Sequence, residues 1–208
     1  MNEKLRGLYV ITHENLGGGH LAIARAAIAG GAKIIQLRDK STALREIIPI
    51  GQEIRRLTLD AAVLFIVNDR PDLALALEAD GVHLGPDDLP PREARKVLGE
   101  HRIIGVSCGG ESEARRAEKD GANYIGAGAI FGSATKLDAG APIGIDGLRA
   151  IVSAISLPVA AIGGVDSSNI AGVKAAGASM VCVVSAVAGA GDEAAMERAT
   201  RELANVLL

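Results

Sequence analysis

Tryptophan is absent from this 208-residue chain, and the only other aromatic side chains are two tyrosines and two phenylalanines. A sequence so poor in large rings must build its core from aliphatic side chains. Ala, Gly, Ile and Val are abundant, which suits helices packed closely on a buried sheet. Cysteine is scarce too: Cys108 and Cys182 lie far apart and fit no metal-ligand spacing. Positive charge is not in excess, with 22 Lys and Arg against 25 Asp and Glu for a net charge of −3. That balance removes the basic footprint of a nucleic-acid partner. No apolar run is long enough to span a bilayer, and no apolar signal core follows Met1 to Arg6. A cytoplasmic protein is therefore expected. No linker, low-complexity tract or second core interrupts the chain, so residues 1–208 read as one domain.

What the chain does have is a repeat. Four segments read as a helix end with glycine followed at once by a strand: Gly30-Gly31 before Ile34-Ile35, Gly81 before Val82-His83-Leu84, Gly121 before Tyr124-Ile125, and Gly177 before Met180-Val181. Glycine supplies the left-handed turn that stops a helix. Gly7–Ile11, Val63–Val67, Ile103–Val106 and Val159–Ile162 add four further strands, making eight. Between them, Leu44, Ile47, Ile48, Ile54 and Leu57 follow helical spacing, Pro71 and Pro91 suit first helical turns, and Asp192 to Leu207 forms a closing helix. Near-continuous apolar strands alternating with helices mean a parallel sheet covered by helices. Eight such units predict a single (β/α)8 TIM barrel. An open doubly wound sheet is the alternative, but no Gly-x-Gly-x-x-Gly follows the first strand.

In such a barrel the chemistry sits at the C-terminal ends of the strands. The second strand runs into Gln36-Leu37-Arg38-Asp39-Lys40. With period-two alternation, Gln36, Arg38 and Lys40 share a face, provided the extended backbone persists to Lys40. The third strand ends in Asn68-Asp69, the fourth leads to Gly85-Pro86-Asp87-Asp88, and the fifth to Ser107. A glycine-rich loop, Gly126 to Lys136, follows the sixth. Gly163-Gly164 and Val184-Ser185 follow the seventh and eighth, where this fold frequently binds phosphate, and Asp166 to Ser168 can cap the next helix. Asp69 and Asp88 lie near Arg38, Lys40 and Lys136 in this layout. They suit either salt bridges or Mg²⁺, which takes one or two carboxylates plus substrate phosphate oxygens. Lys and Arg with paired carboxylates match a diphosphate. The histidines look bland: His13, His20 and His101 fall in loops, and His83 alternates with Val82 and Leu84 inside a strand. No serine carries the signature of a nucleophile with its base, which favours charge stabilisation of a leaving diphosphate.

Gln36-Leu37-Arg38-Asp39-Lys40, Val67-Asn68-Asp69, Gly81 to Asp88, Gly105-Val106-Ser107, Thr135-Lys136 and Ile162-Gly163-Gly164-Val165 stand in the order found in thiamine-phosphate synthases. From about Leu8 to its end the chain resembles that family. The resemblance implies an Mg²⁺-dependent transferase that joins 4-amino-2-methyl-5-hydroxymethylpyrimidine diphosphate to thiazole phosphate, or to its carboxylated form. Thiamine phosphate and pyrophosphate would be the products, with CO₂ when the thiazole is carboxylated. By matching position, Gln36, Arg38, Lys40 and Asn68 would hold the pyrimidine diphosphate, Ser107 and Lys136 would touch its diphosphate, and Asp69 and Asp88 would bind Mg²⁺. Arg38, Lys40, Ser107 and Lys136 would thus be the catalytic set. Ser133, Thr135, Gly164, Val184 and Ser185 would hold the thiazole phosphate. The implied partners are small molecules, with a homo-oligomer left open. The chain departs from the family at Gly109-Gly110, where a histidine is usual, and at Ala129, Gly132 and Ser133, where Pro, Pro and Thr are usual. Losing both prolines predicts a looser loop after the sixth strand. A related thiazole tautomerase is disfavoured by Gly109. A non-catalytic phosphate-binding barrel is disfavoured by the full diphosphate set.

Overall fold

The computed structural model describes residues 4–132 and 140–208. Its strands are β1 (Gly7–Ile11), β2 (Ile34–Leu37), β3 (Leu64–Asn68), β4 (Gly81–Leu84), β5 (Ile103–Cys108), β6 (Tyr124–Gly128), β7 (Val159–Ile162) and β8 (Met180–Val183). All pair in parallel and in sequence order, and β8 pairs with β1 to close the barrel. Helices α1 (His20–Ala29), α2 (Leu44–Asp60), α3 (Pro71–Ala76), α4 (Pro91–Leu98), α5 (Glu111–Lys119), α6 (Gly144–Ala154) and α7 (Ile170–Ala175) alternate with the strands. A short α8 (Ser185–Ala188) and α9 (Glu193–Leu207) end the chain. The fold is the (β/α)8 barrel that the repeat predicts. Among the described residues no helix is long and apolar enough to cross a membrane.

Strand alternation makes two cores. Leu8, Val10, Ile35, Phe65, Val67, Val82 and Ile104 point outward and are buried under the helices. Tyr9, Ile11, Ile34, Ile66, Ile103, Tyr124, Met180 and Cys182 point inward and fill the barrel. A parallel strand covered on both faces must be apolar on both, which is why these segments read as unbroken hydrophobic runs. Pro71 and Pro91 begin their helices, where the missing N–H has no partner to lose. Asp192 caps α9, its carboxylate accepting from the Ala195 amide at 2.8 Å.

Three details differ from the sequence reading. Gly31, Gly121 and Gly177 do take positive φ after their helices, but Gly81 does not stop a helix. It opens β4, and the left-handed turn before it falls on Glu78 at φ 51°. A Cβ at Gly81 would lie 2.1 Å from the Ile103 carbonyl oxygen, so close strand approach is the reason for glycine there. His20 is no loop residue: it opens α1 and is buried. Asp166 does not cap α7, whose N-cap is Asn169. Its carboxylate instead accepts from the Ser168 amide and hydroxyl at 2.8 and 2.6 Å, within the turn before that helix.

Candidate active site

A cavity of about 260 Å³ opens at the C-terminal mouth of the barrel. Gln36, Arg38, Lys40, Asn68, Asp69, Asp88 and Ser107 line it, as do Gly164, Val184 and Ser185. Ser133, Thr135 and Lys136 lie outside the described residues.

The strand β2 stops at Leu37, one residue after Gln36, so regular extended structure does not carry Arg38 and Lys40. They reach the cavity because the loop is held by Asp39. Its Oδ1 accepts from the Ser41 and Thr42 amides at 2.9 and 2.7 Å. Its Oδ2 accepts from the Thr42 hydroxyl at 2.7 Å and faces His20 Nε2 at 2.9 Å. Burial opposes the ionised form of Asp39. The Thr42 hydroxyl and amide, His20 and the Ser41 amide outweigh it and hold the carboxyl well below its usual range. His20 Nδ1 in turn sits 2.7 Å from the buried Thr12 hydroxyl. Glu14, His20 and Asp39 bring ligand-type atoms within 4.8 Å of one another, but both His20 nitrogens already meet Thr12 and Asp39. The cluster reads as a bracket for the loop.

Asp69 follows β3 in the left-handed region, at φ 61°, and its amide donates to the His83 carbonyl at 2.8 Å. Burial raises its carboxyl, as do a hydrogen bond with Asp88 and that group's like charge; Lys40, 3.5 Å away, only partly offsets them. The result is a carboxyl pushed up to about 6. Asp88 closes the turn after β4, its Oδ2 accepting from the Gly85 amide at 2.6 Å. Two carboxylates held together against their repulsion are a donor set suited to a hard cation.

On the opposite side, the base of the loop after β6 is pinned to β7. The amides of Ile130 and Phe131 donate to the carbonyls of Ile162 and Gly163 at 2.8 and 2.9 Å. Ile143 and Gly144 donate back to the Ala129 and Ile130 carbonyls at 2.9 and 3.1 Å. Residues 129–131 are therefore tied to neighbouring backbone without the family's prolines, and the remainder of the loop expected to be looser, from Ser133, lies outside the described residues.

Sequence reasoning passed over the floor of the cavity. Tyr9 lines it from below, and His83 reaches in from β4 with its Nε2 3.0 Å from Ser107 Oγ. The available signal was a polar-tipped side chain at inward strand positions, where a buried phenol or imidazole needs a partner. Both cysteines are buried, and burial pushes the Cys108 thiol up to about 12, with Glu113 adding to it.

A closed parallel barrel with polar and charged strand ends around one mouth defines a (β/α)8 enzyme acting at its C-terminal face. Residues 8–187 match the family described as Thiamine monophosphate synthase. The chain is 54% identical over 198 residues to the thiamine-phosphate synthase of Moorella thermoacetica, covering 94% of each chain. It is 49% identical to that of Chloroflexus aurantiacus, covering 96% of this chain and 93% of the relative. The solved thiamine phosphate pyrophosphorylase from Pyrococcus furiosus superposes with a TM-score of 0.91 at 43% identity, over 99% of this chain and 96% of that one. The chain belongs to the thiamine monophosphate synthase family.

Proposed function

We propose that this chain is a thiamine-phosphate synthase, a one-domain transferase that joins the pyrimidine methyl diphosphate to thiazole phosphate and releases pyrophosphate. The observation that carries the reading, beyond family membership, is the composition of the cavity at the C-terminal mouth of the barrel. It combines cations and paired carboxylates with a glycine pair and a serine loop.

In this reading Arg38 and Lys40 neutralise the diphosphate, Ser107 donates to it, and Gln36 and Asn68 hold the pyrimidine end. Lys136 adds a further cation from the loop after β6. Asp69 and Asp88 would hold Mg²⁺, which when bound spreads the diphosphate charge and eases its departure. The C–O bond to the pyrimidine methylene breaks with its electron pair leaving on pyrophosphate. The aminopyrimidine ring stabilises the cation left behind, and the thiazole nitrogen adds its lone pair to that carbon. No protein base is required. Gly164, Val184 and Ser185, with Ser133 and Thr135, hold the thiazole phosphate so that the nitrogen faces the carbon, and that alignment supplies much of the remaining rate.

The test is a coupled pyrophosphate assay with both substrates. Pyrophosphate should appear with Mg²⁺, stop on chelation and resume on restoring the metal. Isomerisation of the thiazole carboxylate phosphate without pyrophosphate would point to a tautomerase instead. Heat stabilisation by ligand with no product would point to a binding module.

A further inference from the structure

A continuous line of polar side chains crosses the barrel interior beneath the cavity. Gln36 Nε2 donates to Tyr9 Oη at 2.5 Å. Tyr9 Oη lies 3.0 Å from Tyr124 Oη, and Tyr124 Oη lies 2.9 Å from His83 Nδ1. His83 Nε2 then meets Ser107 Oγ at 3.0 Å. Gln36, Tyr9 and Tyr124 are all buried. Glycines make the room: a Cβ on Gly105 would sit 2.0 Å from Tyr124 Cζ, and one on Gly126 would sit 2.8 Å from His83 Cε1. The His83 ring also stacks on Tyr124, with centroids 5.5 Å apart.

Such a chain has two self-consistent directions. A phenol has one proton to give, and a neutral imidazole has one N–H and one bare nitrogen. Because the Gln36 amide donates to Tyr9, the Tyr9 proton goes to Tyr124 and the Tyr124 proton goes to His83 Nδ1. The ring proton is then on Nε2 and is given to Ser107 Oγ. Ser107 accepts from His83, and its own proton is left for the cavity. If the amide were turned over, each bond would reverse. Ser107 would then give its proton to His83 and show an anion only lone pairs. A mixed arrangement leaves one buried phenol proton without an acceptor in the chain, which is costly. Burial raises both tyrosines, so they stay neutral and able to donate. Bonds in a low-dielectric chain also polarise one another.

We propose that Tyr9, Tyr124 and His83 form a directional hydrogen-bond relay, set by the Gln36 amide, that keeps Ser107 a donor toward the diphosphate. Tyr124, which does not line the cavity, is a positioning residue acting through His83. The relay deepens the reading above and rests on Ser107 contacting the diphosphate.

Two measurements test it. The first records long-range ¹H–¹⁵N correlations of the histidine rings in the full chain without substrates, at about pH 8, with His83 assigned from a His83→Gln variant. His83 should carry its proton on Nε2, and Tyr124→Phe should give a mixture of tautomers. A proton on Nδ1 in the unmodified chain overturns the proposal. The second measures binding of pyrophosphate with Mg²⁺ by calorimetry. Ser107→Ala should weaken it about tenfold and Tyr124→Phe about threefold, with the double variant no weaker than Ser107→Ala alone. Additive losses overturn the relay while leaving Ser107 as a contact. A silent Ser107→Ala overturns the contact itself, and the relay's purpose with it.

Discussion

Lys40 Nζ lies 3.5 Å from Asp69 Oδ2, so a cation read as a diphosphate partner already leans on a carboxylate read as a metal ligand. That contact does not compensate for burial and for Asp88, because the Asp69 carboxyl still rises to about 6 from 3.8. The folded chain therefore binds a proton at Asp69 more tightly than the unfolded chain does. The stability this confers is complete below about pH 4 and is lost as pH rises through about 6. Without metal, Asp69→Asn should be more stable than the unmodified chain by about 1–2 kcal/mol above that range, after discounting for partial exposure, and should lose the advantage at low pH. Asn tolerates the left-handed backbone that Asp69 occupies. Urea melts in chelator across this range check it; a pH-independent difference would sink the idea. Turnover should fall strongly in the same variant.

Asp39 touches no substrate in this reading, yet its removal should be costly. Asp39→Ala takes the acceptor away from two amides, the Thr42 hydroxyl and the buried His20. We expect a loss of about 2–4 kcal/mol in folding stability, together with a kcat/KM at least tenfold lower because Arg38 and Lys40 lose their support. Denaturant melts and steady-state kinetics would show both. A variant that melted normally and turned over normally would remove the bracket from the account.

Gly163 stands at φ 103°, and a Cβ there would lie 2.7 Å from Ala129 Cα and 3.0 Å from the Gly132 carbonyl oxygen. Gly163→Ala should destabilise the fold by about 2–4 kcal/mol and weaken use of thiazole phosphate. Gly110→Ala is the control, since its backbone is extended and no atom lies within 4 Å of the added carbon. Equal melting temperatures for the two variants would refute the close approach of the β6 loop to β7.

Ser185 lines the cavity beyond β8 and is read with the thiazole phosphate, whereas Arg38 and Lys40 follow β2 and are read with the diphosphate. Ser185→Ala should raise KM for thiazole phosphate several-fold and leave KM for the pyrimidine diphosphate nearly unchanged, about the loss of one hydrogen bond to a charged group. Initial-rate kinetics with each substrate varied in turn separate the two. A change confined to the pyrimidine KM would reverse the assignment of the two sides.

The chain's local chemistry determined its elements and much of its site. Apolar runs of strand length, glycine turns and N-terminal prolines specify β-α units, and eight of them leave a closed parallel barrel as the natural way to bury both faces. Strand ends were legible because the fold puts their residues at one mouth, so Gln36, Asn68, Asp69, Asp88 and Ser107 could be picked out from sequence order. Tertiary structure decided what depends on distant partners. Arg38 and Lys40 reach the cavity through the Asp39 bracket and not through a longer strand. His20 and His83 look bland in sequence because their partners are far away: Asp39 is 19 residues from His20, and Tyr124 is 41 from His83. The linear order shows which groups have a proton to give. Only closure of the barrel decides who receives it, because a hydrogen bond needs two atoms within about 3 Å.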